Sequence, residues 1–182
     1  FIRIFTMLAG RGQKGGGRRL GVISNAGFEC ATVLDRLYRL ELASLSQETQ
    51  AALRGCLPDV AHADNPVDAT PMATTKQFIA ATEAMLADPG VDALIVSPLP
   101  ATPALDVLGP DLIGLHPENM YAPGALAQEL LRVFRGTEKP VVVVVDSGRL
   151  YDDFVTLLQR NGLPVWRKID RASRALSAYC AM

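Results

Sequence analysis

Short apolar runs alternate with helix-forming stretches along most of this chain. Five runs rich in apolar residues are bounded by polar or turn residues, so each predicts a strand. The predicted strands are Leu20–Ser24, Glu41–Leu45, Asp92–Ser97, Pro140–Val145 and Leu163–Arg167. Residues 67–69 form at most a short extended piece. The runs are continuously apolar rather than alternating, which indicates strands buried on both faces of a parallel sheet.

The stretches between these strands carry helical apolar spacing and helix-capping residues. Ser46 and Thr74 are the expected caps, and Gln77 completes a capping box with Thr74. A proline-rich stretch, residues 98–121, is long for a loop, so we expect a short helix around Leu105 or a functional role there. The predicted helices run from Ala26 to about Leu40, from Ser46 to about Cys56, over Thr75–Leu86, Ala122–Phe134 and Leu150–Arg160, and over Arg171–Tyr179 with Asp170 as its cap.

This alternation of strands and helices predicts an α/β fold. Because parallel strands need right-handed crossovers, the simplest arrangement is a flavodoxin-like three-layer fold with a parallel five-stranded sheet, order 2-1-3-4-5. A length of 182 residues favours a single domain. We assign residues 18–182 to this domain. Residues 1–17 are interpreted as a helical remnant and a glycine-rich linker, which indicates a fragment of a larger multidomain protein.

The overall composition narrows the possible function classes. A net charge of −1 with interspersed acids and bases argues against nucleic-acid binding and against a polybasic membrane surface. No apolar run reaches transmembrane length. The three cysteines, Cys30, Cys56 and Cys180, are widely spaced and odd in number. They predict neither a disulfide framework nor a Cys-x-x-Cys site, and a reducing cytoplasm fits best.

Candidate chemistry is concentrated at the carboxyl ends of the predicted strands, which meet at one edge of a parallel sheet. We call this edge the carboxyl rim. Its candidate residues are Asn25, Ala26, Gly27, Asp68, Thr70, Ser97, Pro98, Asp146, Ser147 and Gly148. They include no histidine and no lysine, and the nearest arginine is Arg149. Because no convincing acid–base or nucleophile pair is present, we expect no catalytic residue in this chain.

Two features of the carboxyl rim leave alternatives open on residue types alone. The turn at residues 24–27 leads into a helix whose N-terminus is able to bind an anion, although a plain structural turn is favoured. Asp68 and Asp146 could share a metal ion, although aspartates at strand ends commonly hold the following turn, so we expect no metal. His62 and His116 lie in predicted loops without the spacing of metal ligands.

Six motifs recur in the order and spacing of a known family over nearly the whole chain. They are Gly17-Arg-Arg-Leu-Gly-Val-Ile-Ser-Asn-Ala-Gly27, Leu45-Ser-Gln-Glu-Thr49, Asn65-Pro-Val-Asp-Ala-Thr70, Asp88-Pro-Gly-Val-Asp-Ala-Leu94, Lys139-Pro-Val-Val-Val-Val144, and Asn161-Gly-Leu-Pro-Val165 with Arg171-Ala172. On this combination the chain resembles the ADP-forming (NDP-forming) acyl-CoA synthetases, relatives of succinyl-CoA synthetase. Within that family it is similar to the second flavodoxin-like ligase domain.

The resemblance implies what the full-length protein does. The family reaction converts acyl-CoA, ADP and phosphate to carboxylate, CoA and ATP through a phosphohistidine. CoA, ADP/ATP and Mg are therefore expected for the full-length enzyme, with no cofactor in this domain. The implied partners are CoA-binding, phosphohistidine and ATP-grasp domains, on the same chain or on a partner subunit. The family's histidine motif is expected upstream of Phe1. Neither His62 nor His116 matches it, so the isolated chain is expected to be inactive.

The resemblance also implies a role for the carboxyl rim, with two departures from the family pattern. Phe28-Glu29-Cys30 replaces smaller residues, and its carboxylate suits the helix dipole but repels a phosphate. Val145-Asp-Ser-Gly148 replaces a glycine-rich turn and adds charge. The residues implied to lie near phosphate or to contact neighbouring domains are Asn25, Ala26 and Gly27, and more loosely Ser97, Pro98 and Leu99. The alternative function is a noncatalytic acyl-CoA-sensing or regulatory flavodoxin-like binding module.

Overall fold

The computed structural model describes Leu8, residues 17–111 and residues 113–181. Apart from Leu8 and Gly17, the predicted helical remnant and linker at residues 1–17 lie outside the described residues. Among the described residues, no helix combines the length and the apolar character needed to cross a membrane.

One parallel sheet organises the described residues. Its six strands are β1 (Arg19–Ser24), β2 (Glu41–Leu42), β3 (Val67–Asp68), β4 (Ala93–Ser97), β5 (Val141–Val144) and β6 (Val165–Trp166). The main path runs β2-β1-β4-β5-β6, and β3 also pairs with β1. The α/β prediction and the parallel sheet are confirmed. The prediction of five strands is wrong, because the short extended piece after Pro66 is a sixth strand.

Asn65 explains how one edge of β1 holds two strands. β2 pairs with Arg19 and Leu20 at the start of β1, whereas β3 pairs with the last two residues of β1. Between them, the Asn65 side chain takes the place of a strand. Its Oδ1 accepts the Val22 N–H at 2.9 Å, and its Nδ2 donates to the carbonyl oxygens of Leu20 (2.7 Å) and Ala43 (2.9 Å). A two-residue strand gives too short a pattern for sequence reasoning to identify it.

Five α-helices connect the strands in the described part of the chain, and a sixth follows the last strand. They are α1 (Gly27–Leu34), α2 (Gln47–Cys56), α3 (Thr75–Ala87), α4 (Leu126–Arg135), α5 (Asp152–Arg160) and α6 (Ile169–Cys180), with a 3₁₀ turn at Arg149–Tyr151 before α5. The predicted caps Ser46 and Thr74 are confirmed. Ser46 accepts the Thr49 N–H at the start of α2, and Thr74 and Gln77 form the capping box of α3.

The first helix ends earlier than predicted. It stops at Leu34 rather than near Leu40, because hydrogen bonds to α6 replace helical ones in the next residues. Ser173 Oγ donates to the Arg36 carbonyl at 2.5 Å, and the Arg39 N–H donates to Ser177 Oγ at 3.1 Å. These partners are more than 130 residues apart in sequence, so local patterns do not reveal them.

Three other helix predictions need correction. No helix forms around Leu105 among residues 98–111 and 113–121. Prolines remove backbone donors there, and the Glu118 carboxylate instead accepts the N–H groups of Val107 (2.8 Å) and Leu108 (3.1 Å). Helix α4 begins after Gly124, whose φ is +85°, and not at Ala122. Helix α6 begins at Ile169, which places Asp170 in its first turn and not at its cap.

Apolar clusters cover both faces of the sheet. Helices α2, α3, α4 and α5 pack on one face, where Phe78 and Phe154 are fully buried. Helices α1 and α6 pack on the other face, together with Leu8. Strands β1, β4 and β5 send alternate side chains into the two clusters. This arrangement gives the predicted three layers and leaves the strand ends as the accessible edges of the sheet.

Candidate functional site

The carboxyl rim brings together the ends of adjacent strands, as the sequence predicts. Ser24 at the end of β1 is in register with Asp68 of β3 on one side and with Ser97 of β4 on the other. Asn25, Ala26, Ser97 and Pro98 are buried, whereas Gly27 and Gly148 are exposed. Asp68, Thr70, Asp146 and Ser147 are half-buried. A partner could therefore contact Gly27 and Gly148 directly, but not the four buried residues.

Asn25 joins the turns that follow β1 and β4. The Leu99 N–H donates to Asn25 Oδ1 at 2.6 Å, and Asn25 Nδ2 donates to the Leu99 carbonyl at 3.1 Å. Asn25 is only 1% exposed. Because both ends of its amide are used in this pair, Asn25 fixes the backbone of the neighbouring turn and is not directed toward solvent.

Glu29 lies at the centre of the carboxyl rim, in the first turn of α1. It is fully buried, and its Oε2 accepts hydrogen bonds from Ser24 Oγ at 2.6 Å and Ser97 Oγ at 2.5 Å. Burial raises the pKa of Glu29, opposed by the hydrogen bonds from the two serines; Asp146 raises it further and Lys168 lowers it. Sequence reasoning identified this charge but not its burial.

Gly27 allows α1 to approach β3 closely. A Cβ at Gly27 would lie 2.9 Å from Asp68 Oδ2. The other carboxylate oxygen of Asp68 accepts the Thr70 N–H at 3.0 Å, and Thr70 has a φ of +65°. Asp68 thus holds the turn after β3, which is the structural interpretation favoured by the sequence. Burial raises the pKa of the adjacent Cys30 thiol to about 12.

Two basic side chains, Arg167 and Lys168, also reach the carboxyl rim, which was not predicted from the sequence. Lys168 Nζ lies 2.7 Å from Asp146 Oδ1. Arg167 donates to the carbonyl oxygens of Ser147 and Gly148, and it pairs with Asp152 at 2.9 Å. The expectation that no lysine belongs to this edge is therefore wrong. The signal was available, since residues 167 and 168 directly follow the last strand and parallel strands end at the same edge.

The side chains that the structure describes form no cluster of metal ligands. Among them, no group of three or more histidine, cysteine, aspartate or glutamate side chains is arranged to hold a metal ion. Asp68 and Asp146 are each engaged as described above. The His62 backbone pairs with Asp68 through an N–H···O bond of 3.0 Å, and the His116 N–H donates to Asp111 at 3.2 Å. The two histidines thus lie in separate loops.

Exposed apolar side chains follow the strands at this same edge. Phe28 after β1, Met72 after β3 and Leu150 after β5 are 56%, 61% and 70% exposed. The long connection after β4 adds Ile113, Leu115 and Tyr121, which are also exposed. Large contiguous apolar patches mark interaction surfaces, whereas singly exposed apolar side chains are common on monomeric proteins.

No protein-family model matches this chain. Among curated proteins, the α subunit of ADP-forming acetate–CoA ligase II from Pyrococcus furiosus is 29% identical over 164 residues, which is 89% of this chain and 33% of that protein. The α subunit of ligase I from the same organism is 30% identical over 124 residues, or 67% of this chain and 23% of that protein. The chain is a homologue of ADP-forming acetate–CoA ligase α subunits. The resemblance stated from its motifs is therefore confirmed.

Several solved structures share the fold of this chain. A Pyrococcus horikoshii OT3 protein superimposes with a TM-score of 0.78 at 24% identity, covering 99% of this chain and 39% of that one. A dinucleotide-forming acetyl-coenzyme A synthetase 1 from Ca. Korarchaeum cryptofilum gives the same TM-score and identity over 98% of this chain and 36% of that one. At this identity the likeness concerns the fold. The chain spans about a third of the length of the first curated relative.

Proposed function

We propose that this chain is a ligase-type domain of an ADP-forming acyl-CoA synthetase, the counterpart of its second flavodoxin-like domain. The observation that carries the proposal is the homology to an ADP-forming acetate–CoA ligase α subunit over 89% of the chain. The agreement of fold over 98% of the chain with an acetyl-coenzyme A synthetase supports it. The whole protein would convert acyl-CoA, ADP and phosphate to carboxylate, CoA and ATP through a phosphohistidine, in the cytoplasm.

The remaining components of the reaction would lie on other domains. CoA-binding, phosphohistidine and ATP-grasp domains, on the same chain or on a partner subunit, would bind CoA, ADP or ATP, and Mg. The relatives are about three to four times longer than the part that this chain matches, which leaves room for such domains. A synthetase with the same fold was solved in complex with phosphate and ADP, which is consistent with such ligands for the whole protein.

The domain itself would support the reaction without supplying a reacting group. The ionisable groups described at the carboxyl rim are hydrogen-bonded, paired with an opposite charge, or buried. Glu29 accepts from two serines, Asp146 pairs with Lys168, and the pKa of Cys30 is raised to about 12. A thiol of that pKa is almost entirely protonated at neutral pH and is a poor nucleophile. This is why we propose that the chain alone is inactive.

The carboxyl rim would instead be the surface that contacts neighbouring domains. The side chains of Asn25, Asp68 and Asp146 are bonded within the domain, while Phe28, Met72 and Leu150 are exposed. Such a surface offers apolar area on a fixed backbone, which suits packing against another domain. We therefore propose the rim residues as domain contacts, in particular the exposed Gly27 and Gly148 and the side chains beside them.

Enzymatic assay of the full-length parent protein tests the assignment. We expect ATP formation from ADP, phosphate and one member of an acyl-CoA panel, together with an acid-labile phosphoprotein. A folded parent protein that shows neither turnover nor phosphoenzyme would contradict the proposal. In that case, binding of an acyl-CoA would favour the sensing or regulatory module.

A pair of substitutions on one helix tests the role of the carboxyl rim. Phe28 lies at the rim end of α1 and is 56% exposed, whereas Leu34 lies at the far end and is 49% exposed. Phe28→Gln in the full-length protein should lower kcat at least about tenfold, equivalent to about 1.4 kcal/mol of lost packing. Leu34→Gln should leave the activity within about twofold, since one exposed substitution away from an interface changes little. Equal activities of the two variants would contradict the contact role.

A further inference from the structure

Glu29 places a carboxylate at the start of a helix. It is the third residue of α1, so its negative charge lies at the positive end of the helix dipole. The carboxylate is fully buried between the ends of β1 and β4. Ser24 of β1 and Ser97 of β4 both direct their hydroxyl groups to the same oxygen, Oε2, at 2.6 and 2.5 Å. A bound anion at a helix N-terminus would use donors of this kind.

Ser24 also connects the carboxylate to the helix backbone. The N–H of Ala26, the residue before α1, donates to Ser24 Oγ at 3.1 Å, and Ser24 Oγ donates to Glu29 Oε2. The hydroxyl thus replaces the direct contact that a capping-box glutamate makes with the backbone. The Glu29 carboxylate therefore links the start of α1 to the ends of β1 and β4. Ser97 Oγ also lies 3.4 Å from the Val144 carbonyl of β5.

A second observation sets this carboxylate apart from an ordinary helix cap. Glu29 Oε1 is buried and has no hydrogen-bond partner. An unpartnered buried carboxylate oxygen is costly. The position of Glu29 in the first turn of α1 offsets part of that cost, because the helix dipole favours negative charge there. Two further carboxylates lie near the turn: Asp68 is next to Gly27, and Asp146 acts on Glu29 through its charge, which Lys168 opposes.

We propose that Glu29 is the resident anion of the β1–α1 turn: its carboxylate takes the position of a bound phosphate, and the turn binds no phosphate while Glu29 is present. This property does not depend on the ligase assignment, because it would hold whether or not the parent protein catalyses ATP formation. The domain would then contact its neighbours through a preformed protein surface rather than through a shared phosphate.

Anion titration of the 182-residue chain followed by amide NMR tests this. Inorganic phosphate is added at constant ionic strength while the amide signals of residues 25–28 are followed. We expect no saturable shift of these amides in the wild-type protein. Glu29→Ala vacates the position and leaves the serine hydroxyls and the helix N-terminus free. It should show saturable shifts, with a dissociation constant at least about tenfold below the highest phosphate concentration at which the wild type shows none, or about 1.4 kcal/mol.

Two further variants test whether phosphate is excluded by the volume of the Glu29 side chain or by its negative charge. Glu29→Gln removes the charge but still fills the position, so it should bind phosphate no better than the wild type. Phosphate binding by Glu29→Gln as tight as by Glu29→Ala would overturn the proposal, since charge alone would then exclude phosphate. Glu48→Ala removes an exposed first-turn glutamate of α2 and should behave as the wild type does.

The wild-type titration is decisive without any variant. Saturable phosphate shifts at residues 25–28 of the wild-type chain would refute the proposal even if Glu29→Ala failed to fold. If Glu29→Ala is unfolded in phosphate-free buffer, refolding by added phosphate but not by chloride would support it, and the lack of such rescue would count against it. Failure of the parent protein to form ATP would contradict the ligase assignment and leave the titration result unchanged.

Discussion

Removal of the Asn65 side chain should destabilise the sheet more than any ordinary loop substitution. Asn65→Ala deletes three hydrogen bonds, to the Val22 N–H and to the carbonyl oxygens of Leu20 and Ala43. At a net contribution of about 1 kcal/mol each, their loss amounts to about 3 kcal/mol. The Leu20 carbonyl keeps a bond from the Ala43 N–H. We therefore expect the free energy of unfolding to fall by about 2–4 kcal/mol.

Urea unfolding followed by circular dichroism measures this change, provided that the slope of the unfolding free energy against urea stays constant. Asn119→Ala is the matched control. The Asn119 side chain accepts one exposed hydrogen bond, from the Tyr121 N–H, so its loss should be below about 1 kcal/mol. Asn65→Asp should be at least as harmful as Asn65→Ala, because a carboxylate oxygen would then face the two carbonyl oxygens. A loss below about 1 kcal/mol for Asn65→Ala would refute the reasoning.

Three further predictions follow from individual residues. Burial raises the pKa of Glu29 above its ordinary value of 4.5, so the folded state holds this proton more tightly than the unfolded state and stability should fall as pH rises from 4.5 through the folded pKa. Glu29→Gln should remove that part of the pH dependence in a urea unfolding series, and an unchanged slope would contradict the prediction. Gly55→Ala on the exposed face of α2 meets no atom within 4 Å, and it should raise the free energy of unfolding by about 0.5–1 kcal/mol. Burial raises the pKa of all three thiols, to about 12 for Cys30 and to about 11 for Cys180, but Cys56 is half-buried whereas the other two are buried. A brief iodoacetamide pulse read by peptide mass spectrometry should therefore label Cys56 first, and equal labelling would contradict this order.

The sequence predicts the layers of this fold well because continuous apolar runs determine burial. The five predicted strands all exist, and the path of the sheet follows the predicted order once β3 is set aside. The cap at Ser46 and the capping box at Thr74 depend on residues within one helical turn, which local patterns contain. The parts that were wrong depend on distant side chains. Asn65 supports a two-residue strand, and α6 serines end α1 early.

The sequence predicted that the strand ends meet at one edge, but not which side chains at that edge are buried. The rule that parallel strands end at one edge places Ser24, Asp68 and Ser97 together, and the registers agree. Whether a side chain on that edge faces solvent or its neighbours is decided by packing between residues far apart in sequence. Glu29 and Ser97, separated by 68 positions, are an example. Lys168 was missed because the rule was not extended to the last strand.

The hydrogen bond pair between Asn25 and Leu99 has a kinetic consequence for any partner of the carboxyl rim. Together with Glu29, it holds the turns after β1 and β4 in one arrangement before contact occurs. A partner that docks there does not have to order these turns, so the entropy lost on association is smaller. Contact and release would then be limited by the apolar side chains at the edge rather than by backbone rearrangement. A preordered surface of this kind would let a partner dock without first folding the turns.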